Sequence, residues 1–180
     1  NFLTDKKFLN RRGSDYLKTL GLDFPYSKPK ELIDHLMKIA HIPQDAIILD
    51  FFAGSGTTGE AVLDLNNEEK SKRRFILCTN NEGQIAEEVC YPRIAKVITG
   101  YKEANGNKVD GIESNLKYFK TDFVEAKPTD LNKKKLVDKS TEMLCLKEDC
   151  FELVKKGQSF KIFTSNKDKY LGIVYDDIGI

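Results

Sequence analysis

The chain has 180 residues, 29 Lys+Arg against 28 Asp+Glu, and a formal net charge of +1. That length suggests one domain with room for an appendage, and a chain this size buries roughly 70% of its unfolded surface. With 40% hydrophobic and 32% charged residues, 12 Gly and 5 Pro, it is not collagen-like, low-complexity or largely disordered; no apolar run approaches the roughly 18 residues of a membrane span, and the near-neutral charge argues against a strongly basic nucleic-acid module while leaving room for a local basic face.

Residues 1–27 read as irregular, with a short helical stretch near Asp15–Leu20. Pro25 and Pro29 each push the preceding residue toward extended geometry. Pro29 suits the first helical position, with Ser27 or Lys28 just before it. Leu32, Ile33, Leu36, Met37 and Ala40 then recur at helical spacing until Pro43. Ala46–Leu49 is a continuous apolar run ending in Asp50, as expected of a strand buried on both faces of a parallel sheet. A glycine-rich turn, Phe51–Gly59, leads into a helix through Ala61, Val62 and Leu65. Asn66–Arg74 reads as a polar loop, and Phe75–Cys78 as a second buried strand. Glu82–Gly100 reads as a helix broken or restarted at Pro92 and stopped by Gly100. Strand, turn, helix, strand, helix predicts a βαβα unit with parallel strands.

Beyond Gly100 the texture changes. Asn105-Gly106-Asn107 signals a turn. Leu116–Val124 alternates weakly and predicts a strand, and Pro128–Lys147 predicts a helix. Cys150–Val154, Ser159–Phe163 and Tyr170–Tyr175 predict a β-meander, separated by Gly157 and the Ser165–Asp168 cluster. The expected division is residues 1–102 and an α+β appendage, 103–180. Cys78, Cys90, Cys145 and Cys150 include no CxxC pair and are too sparse for a disulfide scaffold, so reduced, mostly buried thiols in a cytoplasmic protein are expected. The chain opens on Asn1 and ends abruptly at Asp177-Ile178-Gly179-Ile180, which suggests a piece of a longer protein.

The chemistry concentrates in Asp50–Gly59. A glycine turn between a parallel strand and a helix lets a ligand approach the backbone closely, at the carboxyl end of the strand. Gly54-Ser55-Gly56-Thr57-Thr58-Gly59 satisfies GxGxxG, which by itself is weak support for a dinucleotide site. Asp50 counts against that reading, because a carboxylate four residues before Gly54 repels a pyrophosphate and welcomes an ammonium or sulfonium group. Phe51-Phe52-Ala53 also intervene between strand and first glycine. Acid, three residues, then Gly-Ser-Gly suits S-adenosylmethionine, which carries two cationic centres and no phosphate.

DFFAGSGTTGEAVLDLN, followed by RRFILCTNNE and YPRIAKVITGY, resembles the cofactor half of an amino-methylating DNA methyltransferase, in particular the modification subunits of type III restriction-modification systems. The upstream FPYSKPKELIDHLM resembles the family's motif X, and its place before motif I matches the permuted order of the β class. The resemblance covers about residues 13–120. It implies a partial Rossmann-like α/β methyltransferase domain, methylation of adenine N6, S-adenosylmethionine as cofactor, DNA as substrate, a second modification subunit and a restriction subunit as partners, and no membrane. By position, Asp50 would contact the methionine amino group. Phe51, Phe52, Ala53, Gly54, Ser55, Gly56, Thr57 and Thr58 would wrap the methionine part, and Lys28 would approach its end. The family's acid for the ribose hydroxyls falls on Thr79 or Asn80, so Asn80 or Asn81 is left to hydrogen-bond a hydroxyl, while Glu82 equally opens the next helix.

The family's catalytic motif contains two adjacent prolines. Pro25, Pro29, Pro43, Pro92 and Pro128 are all isolated, so no catalytic residue is assigned, and in the β class that motif lies upstream. A flipped base needs a stacking pocket beside the donor, so this chain by itself is expected to bind cofactor without transferring methyl groups. Alternative readings are an interaction or dimerisation module, for which the C-terminal region is the candidate surface, and a nicotinamide-binding Rossmann domain, which Asp50 disfavours. His35 and His41 bracket a helix without a third metal ligand at suitable spacing. Lys70–Arg74 reads as a solvated loop rather than a phosphate contact, and Lys133-Lys134-Lys135 as the wet side of a helix. The aromatics Phe151, Phe160, Phe163, Tyr170 and Tyr175 read as packing of a small β-layer rather than a stacking platform.

Overall fold

The computed structural model describes residues 5–103, 106–165 and 168–175. Asn105, Asn166 and Lys167 of the expected turns lie outside them. The chain mixes helices and strands and divides into two compact units, Asn1–Phe119 and Lys120–Ile180.

In the first unit α1 (Asn10–Thr19) begins several residues before the stretch expected near Asp15. Its Leu17 joins Leu20, Leu22 and Val89 in one apolar cluster. Helix α2 (Lys30–Ile39) follows Pro29, which is the extended N-cap (φ −69°, ψ 137°) rather than the first helical residue. Strand β1 (Ile47–Asp50) pairs in parallel with β2 (Arg74–Leu77), Asp50 opposite Leu77. Between them α3 (Thr57–Glu69) is buried along most of its length. Its Ala61, Val62 and Leu65 pack against Met37 and Ile33 of α2 and against Ile48 and Phe75. Its Leu63 packs with Ile94 and Val97 of α4 (Tyr91–Thr99). A short hairpin, β3 (Tyr101–Lys102) with β4 (Lys108–Val109), follows.

The expected burial of β1 on both faces is not found. Ile47, Leu49 and Ile76 are 54%, 48% and 50% exposed. Side chains alternate across a strand; in this two-stranded sheet the packed face is that of Ile48, Phe75 and Leu77. The expected loop from Asn66 is also different: α3 continues to Glu69 and ends at Lys70 in the left-handed region (φ 55°). The Asn66 side chain, instead of breaking the helix, clasps the returning chain: Oδ1 accepts from Arg73 N (3.0 Å) and Ser71 Oγ (2.8 Å), and Nδ2 donates to Arg73 O (2.8 Å). Arg73 is accordingly buried, paired with Glu69 (2.7 Å) and donating to Ile42 O (3.0 Å), so part of the basic run is structural rather than solvated.

The helix expected from Glu82 is three pieces. Gly83 at φ 61° interrupts a 3₁₀ turn, a π-helical turn spans Ala86–Cys90, and α4 starts at Tyr91. The strand expected over Leu116–Val124 is irregular chain. Leu116 packs on the Leu63–Ile94 cluster, no strand pairs with the segment among the described residues, and Phe123 stays exposed.

In the second unit α5 (Asp130–Glu148) is capped by Thr129, whose side chain accepts from Asn132 N. Strands β5 (Glu152–Lys156), β6 (Phe160–Thr164) and β7 (Tyr170–Val174) form the antiparallel meander. Cys145, Cys150, Phe163 and Ile173 form its core, with Phe151, Leu171 and Tyr175 against them. Lys133, Lys134 and Lys135 face solvent, and Tyr170 is exposed at the end of β7. All four cysteines are free, and Cys78 alone is exposed. Among the described residues no helix is long and apolar enough to cross a membrane.

Candidate functional site

The site forms where β1 ends. Asp50 is half-buried there, with Oδ1 accepting from Phe52 N (2.9 Å) and Oδ2 from Thr58 Oγ1 (2.6 Å). Both partners are neutral, so its carboxylate is oriented but not balanced by an ion pair among the described residues. Cys78 N donates to Asp50 O (2.8 Å) and Ala53 N to Cys78 O (3.0 Å), which stitches the turn to the end of β2. The turn then tightens: Gly56 N donates to Ala53 O (2.7 Å). Gly54 (φ 51°) and Gly56 (φ 79°) lie in the left-handed region, where a side chain is strained. Gly56 is the N-cap of α3. A Cβ at Gly59 would meet Ile94 Cδ1 at 2.9 Å and Leu77 Cδ1 at 3.0 Å, so this third glycine lets α3 lie close on its neighbours.

The twelve residues singled out from sequence separate into three groups. Asp50, Phe51, Phe52, Ala53, Gly54, Ser55, Gly56, Thr57 and Thr58 form the turn itself. Phe51 and Phe52 are exposed, Phe52 by 91%, whereas Ala53, Ser55, Gly56 and Thr57 are buried. Lys28 reaches the turn through its backbone: its carbonyl accepts from Thr57 Oγ1 (3.2 Å), while its side chain is exposed. Asn80 and Asn81 follow β2, each already engaged. Asn80 Oδ1 accepts from Glu82 N (3.2 Å), and Asn81 Oδ1 from Ala86 N (2.9 Å). Their amide nitrogens remain available as donors in that loop.

Sequence reasoning missed the layer beneath the turn. Glu60 and Arg93 are both 0% exposed, and Arg93 Nε donates to Glu60 Oε2 at 2.6 Å. Glu60 Oε1 accepts from Tyr16 OH (2.6 Å) and pairs with Lys30 Nζ (2.9 Å), which also meets Asp64 at 2.7 Å. Arg93 Nη1 lies within bonding distance of Thr57 Oγ1 (2.9 Å), Ser55 Oγ (3.0 Å), Ser27 Oγ (3.3 Å) and Ser55 O (3.4 Å). Burial alone would raise the Glu60 pKa, but the Arg93 and Lys30 charges hold it below the usual carboxylate range. Burial would likewise depress Lys30, and Glu60 and Asp64 outweigh it, so Lys30 stays strongly protonated. Burial raises Asp64, and burial with the neighbouring Glu60 charge raises Tyr16. The one available signal was a charged residue on the buried stripe of each helix, Glu60 beside Ala61 and Arg93 beside Ile94. Their pairing across 33 residues was not visible.

Two other groups occupy structural places. His35 lies 5.1 Å from Phe8 ring to ring, and His41 Nδ1 is 2.9 Å from Lys38 O at the end of α2. A cleft of ≈ 320 Å³ in the first unit is lined by Arg12, Gly13, Tyr16, Pro29, Lys30 and Glu31 among others, none of them a turn residue.

Residues 4–125 match the model of a family described as DNA methylase. The chain is similar to the Mod subunit of the type III restriction-modification enzyme StyLTI of Salmonella typhimurium, 42% identical over 94 residues, which are 49% of this chain and 14% of that protein. It is similar to the EcoPI Mod subunit of Escherichia phage P1, 48% identical over 59 residues, 33% of this chain and 9% of that one. It also resembles the type II methyltransferase M.KpnI of Klebsiella pneumoniae, 29% identical over 122 residues, 67% of this chain and 29% of that one. The chain thus spans less than a third of each of these relatives.

Proposed function

We propose, since this chain belongs to the DNA methylase family, that its first unit is the methyl-donor half of a site-specific DNA adenine-N6 methyltransferase of the type III modification kind, built on a Rossmann-like sheet that the strands β1 and β2 begin. The donor is S-adenosylmethionine. The observation that carries the reading is Asp50: a carboxylate at the carboxyl end of a parallel strand, fixed by Phe52 N and Thr58 Oγ1 with no ion-pair partner among the described residues, beside a turn held tight by two left-handed glycines. That donor set fits a ligand with an ammonium group and disfavours a pyrophosphate.

In this reading Asp50 accepts from the amino group of the methionine part. The backbone from Phe52 to Thr58 wraps that part, and the Lys28 segment closes it from the other side. The Asn80 and Asn81 amide groups donate toward ribose hydroxyls. Exposed Phe51 and Phe52 offer apolar surface beside the reacting end and exclude water from it. When bound, the donor supplies an electrophilic methyl group on a sulfonium. The acceptor pocket needs residues that this chain's isolated prolines do not supply, so the substrate DNA, a second modification subunit and a restriction subunit are partners of the complete enzyme. Such an enzyme works where the DNA is, in the bacterial cytoplasm. The C-terminal α+β region serves contacts of the complete protein.

Calorimetry tests the reading. S-adenosylhomocysteine binds and NAD does not; NAD binding without any response to the adenosyl ligand overturns it. A tritiated methyl-transfer assay on mixed-sequence duplex DNA gives no label with the 180-residue chain alone, and label in the DNA would show that the acceptor site lies within these residues.

A further inference from the structure

Two chain segments meet at the turn, the Ser27–Lys28 stretch ahead of α2 and the Ser55–Thr57 stretch that leads into α3. The turn is stitched to the end of β2 at Ala53, ahead of Ser55, and neither stretch is itself a strand. Two turn glycines sit at positive φ, so the turn has no intrinsic preference for the conformation it adopts. What holds both segments lies beneath them. Arg93 Nη1 reaches Ser55 Oγ and Thr57 Oγ1 in the turn and Ser27 Oγ in the other segment. Ser27 Oγ and Ser55 Oγ are 2.8 Å apart, and Thr57 Oγ1 donates onward to Lys28 O. Arg93 is itself fixed from behind, where Nε donates to fully buried Glu60.

A second contact from the same stretch reinforces the first. A Cβ on Gly56 would stand 3.0 Å from Cys90 Sγ and 3.3 Å from Cys90 O. Cys90 closes the π-helical turn that directly precedes α4. A π turn inserts a residue and shifts the phase of the helix beyond it, and here that helix presents Arg93 to the turn. Stability alone does not call for an arginine at this place. Its Nη2 is buried with no hydrogen-bond partner among the described residues. A buried ion pair is often matched or bettered by apolar residues of similar volume, and an orphaned donor is a cost. The bonds that Arg93 does make run through Nη1 to the two segments.

We propose that Arg93 is a positioning residue of the methyl-donor site: it sets the separation of the Ser27–Lys28 and Ser55–Thr57 segments, and so governs donor affinity without touching the donor. The inference rests on the function proposed above. Glu60 takes part as the anchor that keeps the guanidinium from turning away.

The test compares Arg93→Lys, Arg93→Met and Ser27→Ala with the unaltered chain, measuring the melting midpoint and, well below each midpoint, the Kd for S-adenosylhomocysteine. Lysine keeps a cation against Glu60 but lacks the second nitrogen that reaches the turn. Arg93→Lys therefore melts above Arg93→Met, while both bind about tenfold or more weakly, the scale of one charge-assisted hydrogen bond. Ser27→Ala, a small change that leaves the ion pair intact, weakens binding with little change in midpoint. An unaltered chain that fails to bind overturns the donor-site reading and this inference together. Binding by the unaltered chain with the same Kd in folded Arg93→Lys overturns the inference alone. If neither Arg93 variant folds, an unchanged Kd in Ser27→Ala overturns it.

Discussion

Replacing Glu60 by Gln keeps the shape of the side chain and removes one charge from the interior. In the native chain that carboxylate has three partners: Arg93 Nε at 2.6 Å, Tyr16 OH at 2.6 Å and Lys30 Nζ at 2.9 Å. The glutamine leaves Arg93 fully buried without its counter-charge. Lys30, about a quarter exposed, retains Asp64. Breaking a buried pair from one side typically costs ~3–5 kcal/mol, mostly from the charge left behind. At roughly 4 °C per kcal/mol for a unit of about 100 residues, the melting midpoint of the first unit falls by roughly 12–20 °C. Calorimetry or far-ultraviolet circular dichroism at pH 7 measures it, and a drop below about 4 °C refutes the argument. The pH dependence has a definite sign. The folded-state pKa of Glu60 is lowered, so its stabilisation is fully present above the ordinary glutamate value of 4.5 and is lost as pH falls through the folded value. The gap between the native chain and Glu60→Gln is therefore full at pH 7 and narrows only in acid. Asp64, raised by burial, has the opposite sign, favouring the folded state at low pH and losing that contribution as pH rises through its folded value. The double variant Glu60→Leu with Arg93→Met removes both charges and recovers much of the loss, because neither buried charge is left without its counter-charge, although Tyr16 OH and the Ser27, Ser55 and Thr57 hydroxyls each lose a partner.

Asp50→Asn weakens S-adenosylhomocysteine binding by about tenfold or more, the scale of ~1.5–3 kcal/mol for a charge-assisted hydrogen bond; an unchanged Kd in calorimetry would remove Asp50 from the site. The amide keeps Oδ1 for Phe52 N and can donate from Nδ2 to Thr58 Oγ1, so stability falls by no more than about 1 kcal/mol. Maleimide labelling of the native chain at pH 8 modifies one thiol quickly. Cys78 is exposed, whereas Cys90 is buried with its pKa pushed up to about 11 by burial, and Cys145 and Cys150 are buried in the second unit. Two or more fast equivalents by mass spectrometry would contradict this assignment. Cys78 adjoins Asp50 and Ala53 through the backbone, so a bulky label there also blocks the donor ligand, and undiminished binding after labelling would place the ligand elsewhere.

The parts of this protein legible without coordinates are those whose signals are short in range. An apolar run of four residues, a carboxylate and three glycines within ten positions define the β1–turn–α3 corner, and parallel pairing of β1 with β2 follows from the helix between them. Proline and glycine positions likewise marked α2 and the meander to within a few residues. Tertiary structure decided everything that depends on pairing at a distance. Asn66 looks like a loop residue until Arg73 returns to be clasped by it. Leu116–Val124 looks like a strand, yet among the described residues no strand pairs with it. The Glu60–Arg93 pair, 33 residues apart, and the Tyr16–Glu60 bond, 44 apart, leave only two charged letters on apolar helix faces. The physical reason is that backbone propensity acts over a few residues, whereas a charge taken out of water is tolerable only where the fold brings its counter-charge to it.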